Sequence, residues 1–524
     1  MDKKKQKPKA PKPLADKAAA AKPNPAKQKP APTAAPGEVK ALTHIEIRTV
    51  VIGLMLTMFL GALDQTIVAT ALPTIGRAFH DVENLSWVVT AYLLTATAST
   101  PLYGKLSDIY GRRTVMLTGI AIFIIGSIIC GLAPNMWTLV LGRAVQGLGG
   151  GGLMSMAQTI IADIVTPRER GRYQGYIGAV FASSSIGGPV LGGLLTEHLH
   201  WSLIFWINLP LGLIALAMTS NALRYVPVQR RNHSLDLFGA ALMMVAAVSL
   251  LLALTWGGVR FEWLSWQIIG LMLGSALLWS LFSWRLLSAR EPFLPLSVLA
   301  NPVVRCATLA GTCCMGTLVG MTIFIPLYFE AILHFSAGQS GLALIPLMGA
   351  TVIASTITGR MMVVVDHYKR MAVAGIALAI LALGSLAIWP VGLPLWGLIM
   401  LLMLVGFGIG AVFPITTVGM QNAVARGHMG IATGAMNFFR SLGAAIIVAL
   451  FGAIVLGGIG SASGVSVESL ARTASEPALA YAYRFVFLAA MLVLCFGLAF
   501  LIGMEEKPLR GPAKKPEELP VDHV

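Results

Sequence analysis

The feature that most constrains this chain is a succession of apolar stretches, each long enough to cross a membrane. They recur with little interruption from Thr49 to Gly503. A bilayer has a hydrocarbon core about 30 Å thick, so a spanning helix needs about 20 apolar residues. The stretches are continuous, without the alternation of a membrane barrel strand, which favours helices. The chain is therefore predicted to be an all-α polytopic membrane protein with fourteen transmembrane helices.

Composition agrees with this fold class and excludes several functions. Hydrophobic residues make up 56% of the chain and charged residues 12%, against about 25% charged residues in an ordinary soluble domain. The five cysteines lie inside apolar runs without zinc-site spacing, and none of the nine histidines lies at the middle of a predicted span. A phosphate-binding glycine loop is absent from the sequence. We therefore expect no metal, no cofactor and no enzymatic activity.

Residues 1–45 are predicted to form a disordered basic tail. The first 40 residues carry eleven lysines against three acids and offer almost nothing that could build a core. Such a tail could bind nucleic acid, but a solvated cytosolic tail attracted to anionic lipid is the favoured interpretation. We expect no nucleic-acid partner.

Loop charges predict the orientation in the membrane. With an even number of spans, both tails lie on one side. The loops on that side hold sixteen lysines and arginines between residues 105 and 426, whereas the opposite loops hold Arg77, Arg260, Arg472 and Arg484. The positive-inside rule then places both termini in the cytoplasm. The predicted location is the plasma membrane, the inner membrane of a bacterium.

A short charged turn joins the second and third predicted spans. It runs from Gly104 through Asp108 to Gly111, Arg112 and Arg113. Charge-assisted hydrogen bonds in such a turn can lock neighbouring helices together, although simple helix capping is the alternative. The turn resembles the signature loop of the major facilitator superfamily, in which it belongs to the cytoplasmic gate.

Two further segments narrow the resemblance. Span 1 reads Leu-Asp-Gln-Thr-Ile-Val-Ala-Thr-Ala-Leu-Pro and contains Asp64, while span 4 holds Arg143 and Gln146 in an Arg-x-x-Gln-Gly pattern. Both are similar to motifs of the fourteen-span drug:proton antiporter branch of that superfamily. The resemblance covers residues 45–505 approximately, and it implies proton-coupled multidrug efflux.

Span 5 carries a third motif of that branch. Gly188, Pro189, Gly192 and Gly193 resemble the motif associated with antiporters rather than symporters. Small residues also allow close helix packing, and a proline bends a helix, so packing alone is an equal alternative.

The resemblance implies two six-helix bundles around a central cavity, with two helices inserted between them. The predicted segments are the N-terminal tail 1–45, the first bundle 46–224, the inserted helices 225–300, the second bundle 301–505 and the cytoplasmic tail 506–524.

Charged residues inside the spans are the strongest candidates for function, because each costs about 2.5–3.5 kcal/mol at mid-helix on insertion scales. They are Asp64, Arg143 and Arg440. Asp64 and Arg143 lie about 12 and 9 Å from the outer ends of their spans, so the two can meet. We predict that they carry the coupling proton; a purely structural pair is the alternative.

Other polar or small residues are predicted to line a substrate cavity. These residues lie on the polar face of span 1, on the polar stripe of span 2 and in spans 4, 9 and 13. They are Thr57, Gly61, Tyr92, Thr95, Gln146, Glu330, Asn437 and Arg440. For Glu330, a solvated carboxylate at the outer mouth is the favoured alternative.

The predicted function is secondary active transport, with proton-driven export of hydrophobic or amphipathic, often cationic, compounds from the cytoplasm. The expected partners are a small-molecule substrate, protons and the lipid bilayer; the sequence leaves a periplasmic adaptor undecided. Export of one dedicated metabolite or lipid is the first alternative. A membrane sensor that has lost transport is another, although costly interior charges argue against it.

Overall fold

The computed structural model describes residues 43–81, 84–225, 235–258, 260–458 and 476–509. Within these ranges regular structure is helical, apart from one isolated bridge between Gly257 and Phe261. The all-α fold class is thereby confirmed. The predicted tails lie outside the described residues, except for a few residues next to the first and last helices.

Seventeen α-helices follow one another in the described part of the chain. In order they are α1 (His44–Phe79), α2 (Ser86–Tyr110), α3 (Arg112–Gly131), α4 (Met136–Ile164), α5 (Pro167–His198), α6 (Leu203–Trp206), α7 (Asn208–Ala222), α8 (Leu237–Trp256), α9 (Trp266–Ser288), α10 (Leu296–Leu299), α11 (Pro302–Ile332), α12 (Ala337–Leu342), α13 (Ile345–Met361), α14 (Lys369–Ile388), α15 (Leu395–Ala423), α16 (Met429–Gly458) and α17 (Glu476–Gly503).

Twelve helical stretches of the described residues are long and apolar enough to cross a membrane. Two more long helices, α2 and α4, have 25 and 29 residues and are not among these twelve stretches. The chain is thus a multi-pass membrane protein, and the count of fourteen spans stays a prediction.

The first helix begins earlier than the apolar pattern suggests. The predicted span starts at Thr49, whereas α1 starts at His44. Thr43 and Glu46 form a reciprocal capping box: the Glu46 N–H donates to Oγ1 of Thr43 at 3.3 Å, and the Thr43 N–H donates to the Glu46 carboxylate at 2.7 Å. Such a box satisfies N–H groups that a helix start leaves unpaired, so it extends α1 beyond its apolar part.

Two predicted spans are interrupted near one end. The sixth predicted span, residues 200–222, is divided into α6 and α7, and the tenth, residues 337–358, into α12 and α13. A proline lacks the N–H for helix bonding, and its ring clashes with the carbonyl four residues earlier. Pro210 lies four residues after Trp206, the last residue of α6, and Pro346 lies four after Leu342, the last residue of α12. In both spans the first of the two helices therefore ends at the residue whose carbonyl the proline ring would clash with.

Helix α4 forms the centre of the first half of the molecule, which comprises α1–α7. Its glycines face two neighbours: a Cβ on Gly151 would lie 2.1 Å from the Ala96 carbonyl oxygen of α2, and one on Gly149 would lie 2.4 Å from the Phe123 nitrogen of α3. Only glycine permits this approach of three helix backbones, the packing that membrane helices favour.

Helices α11–α17 form the second half around a separate core, which contains buried side chains between Val298 and Met504. Helices α8 and α9 pack on each other, and Met243 of α8 joins a cluster with Leu94 of α2 and Phe438 of α16. The inserted pair therefore covers a seam between the halves. The exact domain boundaries stay predictions.

The halves touch at one end of the bundle, called here the signature end because it carries residues 104–113. A Cβ on Gly104 would lie 2.4 Å from the Gly430 carbonyl oxygen, and one on Gly171 would lie 2.4 Å from that of Gly359. At these positions the two halves are in backbone contact.

Both ends of the described chain also lie at the signature end. Near the start of α1, Gly53 packs on Thr219 of α7, and the neighbouring Ser220 accepts a 3.1 Å hydrogen bond from Arg113. After α17, the Pro508 carbonyl accepts a hydrogen bond from Asn422 at 3.1 Å.

Candidate functional site

Asp64 and Arg143 meet inside the first half. Nη1 of Arg143 lies 2.6 Å from Oδ2 of Asp64, and the side chains are 0% and 1% exposed for the acid and the arginine. The structure thus brings together the two interior charges that the sequence places at similar depth. An ion pair without water around it depends on further hydrogen bonds to offset desolvation.

Two neutral amides complete the surroundings of the Asp64 carboxylate, and a serine hydroxyl accepts hydrogen bonds from both amides. Gln146 and Asn208 each donate to Oδ1 of Asp64, at 2.8 and 2.9 Å. Both amides also donate to the hydroxyl of Ser127, at 2.6 and 3.3 Å. We call Asp64, Arg143, Gln146, Asn208 and Ser127 the buried network. It joins α1, α3, α4 and α7.

The guanidinium of Arg143 is held from several directions. Its Nε donates to the Val88 carbonyl at 3.0 Å, and Nη1 donates also to Oε1 of Gln146 at 2.6 Å. Its Cζ lies 4.3 Å from the ring centroid of Tyr92, a cation–π arrangement. The arginine is therefore fixed by α1, α2 and its own helix at once.

Local structure explains how these side chains converge. Arg143 and Gln146 are three residues apart on α4 and so share a face. Asn208 is the first residue of α7, directly after the break that Pro210 imposes. From this position at the start of α7, the amide of Asn208 reaches Asp64.

Sequence reasoning missed Ser127 and Asn208. Charge is the feature that marks an interior residue in a sequence, and neither side chain is charged. A signal existed for Asn208, since it is an amide inside an apolar span, two residues before a proline.

Other residues predicted to line a cavity are packed inside the first half in this conformation. Thr57 is buried, and its hydroxyl lies 3.3 Å from that of Thr219. Gly61 faces Leu153, and Thr95 lies against Gly147. Thr57 and Gly61 are buried and Thr95 is half-buried, and their role towards substrate stays a prediction.

The signature turn joins the two halves. Asp108 forms an ion pair of 2.6 Å with Arg112, which also pairs with Asp163 of α4 at 2.7 Å. The Asp108 carboxylate accepts backbone hydrogen bonds from Gly430 and Ile431 at the start of α16, at 3.3 and 3.0 Å. A carboxylate is stabilised at a helix N-terminus, because the backbone N–H groups there carry partial positive charge. Asp108 therefore contacts both Arg112 in the first half and the start of α16 in the second half.

Two other members of the turn have different roles. Gly111 has φ 91°, a conformation that favours glycine, and it separates α2 from α3. Arg113 points away from Asp108 and donates to Ser220. The expected lock therefore uses Arg112, with Asp163 as a partner that sequence reasoning did not name.

A second contact at the signature end joins α5 to α13. Gly171 and Gly359 meet there, and Nε of Arg168 donates to the Val363 carbonyl at 2.7 Å. The two halves are thus joined on both sides of this end.

The glycines of the span 5 motif pack on α1. A Cβ on Gly188 would lie 2.0 Å from the hydroxyl oxygen of Thr66, and one on Gly192 would lie 2.2 Å from that of Thr70. Gly193 has no such neighbour within 4 Å, and Pro189 lies inside α5. Packing therefore accounts for two of the three glycines.

The remaining candidates belong to the second half. Asn437 donates to Gln158 of α4 at 2.9 Å, a hydrogen bond between halves. Arg440 is buried and donates to the hydroxyls of Thr416 and Thr417, at 2.7 and 3.2 Å. Glu330 is half-buried, two residues before α11 ends. Among the residues described, no group of three or more His, Cys, Asp or Glu side chains could hold a metal ion.

Comparison with known proteins gives a consistent assignment. The model of the family described as Major Facilitator Superfamily matches residues 54–448. The multidrug transporter protein MdtP of Bacillus subtilis is 35% identical over 413 residues, covering 78% of this chain and 75% of its own. The efflux pump aunC of Aspergillus niger is 34% identical over 417 residues, covering 78% and 74%.

Solved structures show the same fold. A bacterial homologue of the iron transporter ferroportin in its outward-facing state matches with TM-score 0.61 at 10% identity, covering 88% of this chain and 99% of that one. The human organic anion transporter MFSD10 matches with TM-score 0.59 at 16% identity, covering 86% and 99%. From the extent of the family match and of these relatives, the chain belongs to the Major Facilitator Superfamily and is a membrane transporter rather than an enzyme.

Proposed function

We propose that the protein is a proton-coupled exporter of hydrophobic or amphipathic, often cationic, compounds. The observation that carries the proposal is the buried network, in which a fully buried carboxylate is neutralised by one arginine. Buried ionisable groups in membrane helices are costly and mark ion pathways. Asp64 is therefore the group proposed to bind and release the coupling proton.

The network allows such an exchange because two opposing effects act on one carboxylate. While Arg143, Gln146 and Asn208 donate to Asp64, the carboxylate has a counter-ion and two further N–H donors. A movement that withdraws Arg143 would leave the acid in a medium of low dielectric, where the neutral form is favoured and a proton binds. Return of Arg143, or arrival of a cationic substrate, would release that proton. Substrate and proton would thus compete for one site.

The contacts between the halves support alternating access. We assign the signature end to the cytoplasm, because the surrounding loops are rich in lysine and arginine. In this conformation Asp108, Gly104 and Gly171 hold the halves together at that end. Rocking of one half against the other would break these contacts and open the cytoplasmic side.

The relatives support export as the direction and several compounds as the cargo. Two Bacillus subtilis relatives bear the names multidrug transporter protein and multidrug resistance protein, and fungal relatives are named efflux pumps. Export of a single metabolite is compatible with the same fold, so the breadth of the substrate range needs its own test.

The test is efflux of ethidium and a panel of lipophilic dyes from pump-deficient bacterial cells, with and without a protonophore. We expect export of several dyes above the vector control, and loss of that export when the proton gradient collapses. Export that survives the protonophore would contradict proton coupling. Export of no dye would favour a dedicated substrate.

The proposed location is the plasma membrane, with both termini in the cytoplasm. Reporters fused after Arg224 and after Val524 should both report the cytoplasm. Opposite results would show that one of the predicted spans between them is wrong.

A further inference from the structure

The second half contains a buried cation of its own. Arg440 is 7% exposed and lies eleven residues after Met429, the first residue of α16. At 1.5 Å per residue it is about 16 Å from the start of that helix, close to the middle of a hydrocarbon core about 30 Å thick. This is the depth at which transporters of this architecture bind their cargo.

No acidic side chain in the described residues pairs with this charge. In the part of the chain that the structure describes, none of the ion pairs within 4.0 Å involves Arg440. Its hydrogen-bond partners are the neutral hydroxyls of Thr416 and Thr417. A guanidinium has five N–H donors, and hydroxyls do not offset its charge.

Unsatisfied polar atoms surround the same point. Nε of Arg440 is buried without a hydrogen-bond partner, and so is the hydroxyl of Thr312. Thr312 packs on Gly443, which lies three residues after Arg440 on α16, so the two side chains belong to one region. Buried polar groups are nearly always hydrogen-bonded, and an exception indicates a missing partner.

Gly311 keeps room for the guanidinium. A Cβ at this position would lie 2.5 Å from Nε and 2.6 Å from Nη2 of Arg440. The glycine of α11 therefore allows the arginine to lie directly on the helix backbone.

From these observations we infer that Arg440, with Thr416 and Thr417, binds the carboxylate of an exported amphipathic compound. A carboxylate supplies the missing negative charge and matches the planar fork of a guanidinium. The inference deepens the proposed function, on which it rests, by naming the substrate class. Compounds with a carboxylate, zwitterions included, would place this group in the second half and any cationic group nearer to Asp64.

The test uses two dyes that differ in one group. Rhodamine B carries a free carboxylate, and its ethyl ester lacks that charge. Binding of each dye to the purified full-length protein in lipid nanodiscs is measured by fluorescence polarisation. The readout is the ratio of the Kd for the ester to the Kd for the acid.

Arg440→Gln should lower this ratio about tenfold or more, as expected for loss of a hydrogen bond between charged groups. Arg440→Lys retains the charge and should retain part of the ratio. Gly311→Ala pushes a methyl group into the guanidinium and should lower the ratio while the charge remains, so it serves if Arg440→Gln does not fold.

An unchanged ratio in both Arg440→Gln and Gly311→Ala, or no binding of rhodamine B by the parent protein, would overturn the inference. Proton-driven export of the ester with an unchanged ratio would refute the inference alone. A changed ratio without gradient-driven export would refute only the proposed function.

Discussion

The two halves of the protein each bury an arginine, but they treat its charge differently. Arg143 in the first half forms an ion pair with Asp64 and hydrogen bonds with Gln146 and Val88. Arg440 in the second half has two threonine hydroxyls and one nitrogen without a partner. The first charge is balanced internally by Asp64, and the proposed proton exchange depends on that balance. The second lacks a counter-ion and is suited to a ligand that brings one.

The largest expected effect follows from removing the balancing acid of the first half. Asp64→Asn keeps the size of the side chain but has no proton to exchange, so gradient-driven dye export should fall to the level of the vector control. Purified parent protein should release protons when substrate is added, and the variant should not. Glu197→Gln, at an exposed acid near the end of α5, is the matched control. Equal proton release from the parent and Asp64→Asn would move the coupling role, with Glu330 the next residue to examine.

The contrast between the arginines predicts opposite changes in stability. Arg143→Met leaves a buried carboxylate unpaired and should lower the free energy of unfolding by about 3–5 kcal/mol. Adding Asp64→Asn should restore part of that loss. Arg440→Met removes a buried charge that has no counter-ion, so it should be neutral or stabilising. Thermal unfolding of the purified proteins measures both, and similar destabilisation by the two methionine variants would remove the distinction.

A smaller effect is expected where charges join the halves instead of lying inside one. Asp108→Asn weakens bonds to Arg112 and to the start of α16. A charge-assisted hydrogen bond contributes about 1.5–3 kcal/mol, so turnover should fall severalfold to about tenfold while membrane insertion stays normal. Arg113→Gln should have a weaker effect, because among the described residues Arg113 donates to Ser220, which lies within the first half. If Asp108→Asn has normal turnover at equal expression, the turn only caps helices and does not lock the halves together.

The smallest expected effect concerns the neutral hydrogen bond between Asn437 and Gln158, which joins the halves one helical turn before Arg440. Gln158→Ala, Asn437→Ala and the double variant form a thermodynamic cycle for one hydrogen bond, which should give a coupling energy of about 1 kcal/mol. The thermal stability of the four proteins provides the measurement. A coupling energy near zero would show that this contact does not hold the halves together.

Much of the fold could be predicted because hydropathy acts along each helix separately. Apolar runs locate the long helices, and the signature loop and the interior charges identify the family. The predicted helix boundaries were less accurate where contacts between residues close in sequence determine them. The capping box of Thr43 and Glu46 starts α1 before the apolar stretch, and Pro210 and Pro346 break two spans near their ends.

The buried network shows where prediction from the sequence stopped. The depths of Asp64 and Arg143 were readable, because residue number times helical rise gives depth in a membrane. Asn208 and Ser127 were not identified, since the contact of Asn208 with Asp64 and that of Ser127 with Gln146 depend on the rotation and spacing of four helices. Those quantities come from packing between helices and not from the pattern within one helix.

The sequence by itself determined that this chain is a helical membrane transporter, which residues bear charge inside it, and how deep those residues lie. Only the tertiary structure decided that Arg143 is neutralised and Arg440 is not, and that Asp108 reaches across to α16. The physical reason is that burying a charge is costly for every helix alone, whereas its compensation depends on which side chains the neighbouring helices bring within about 3 Å.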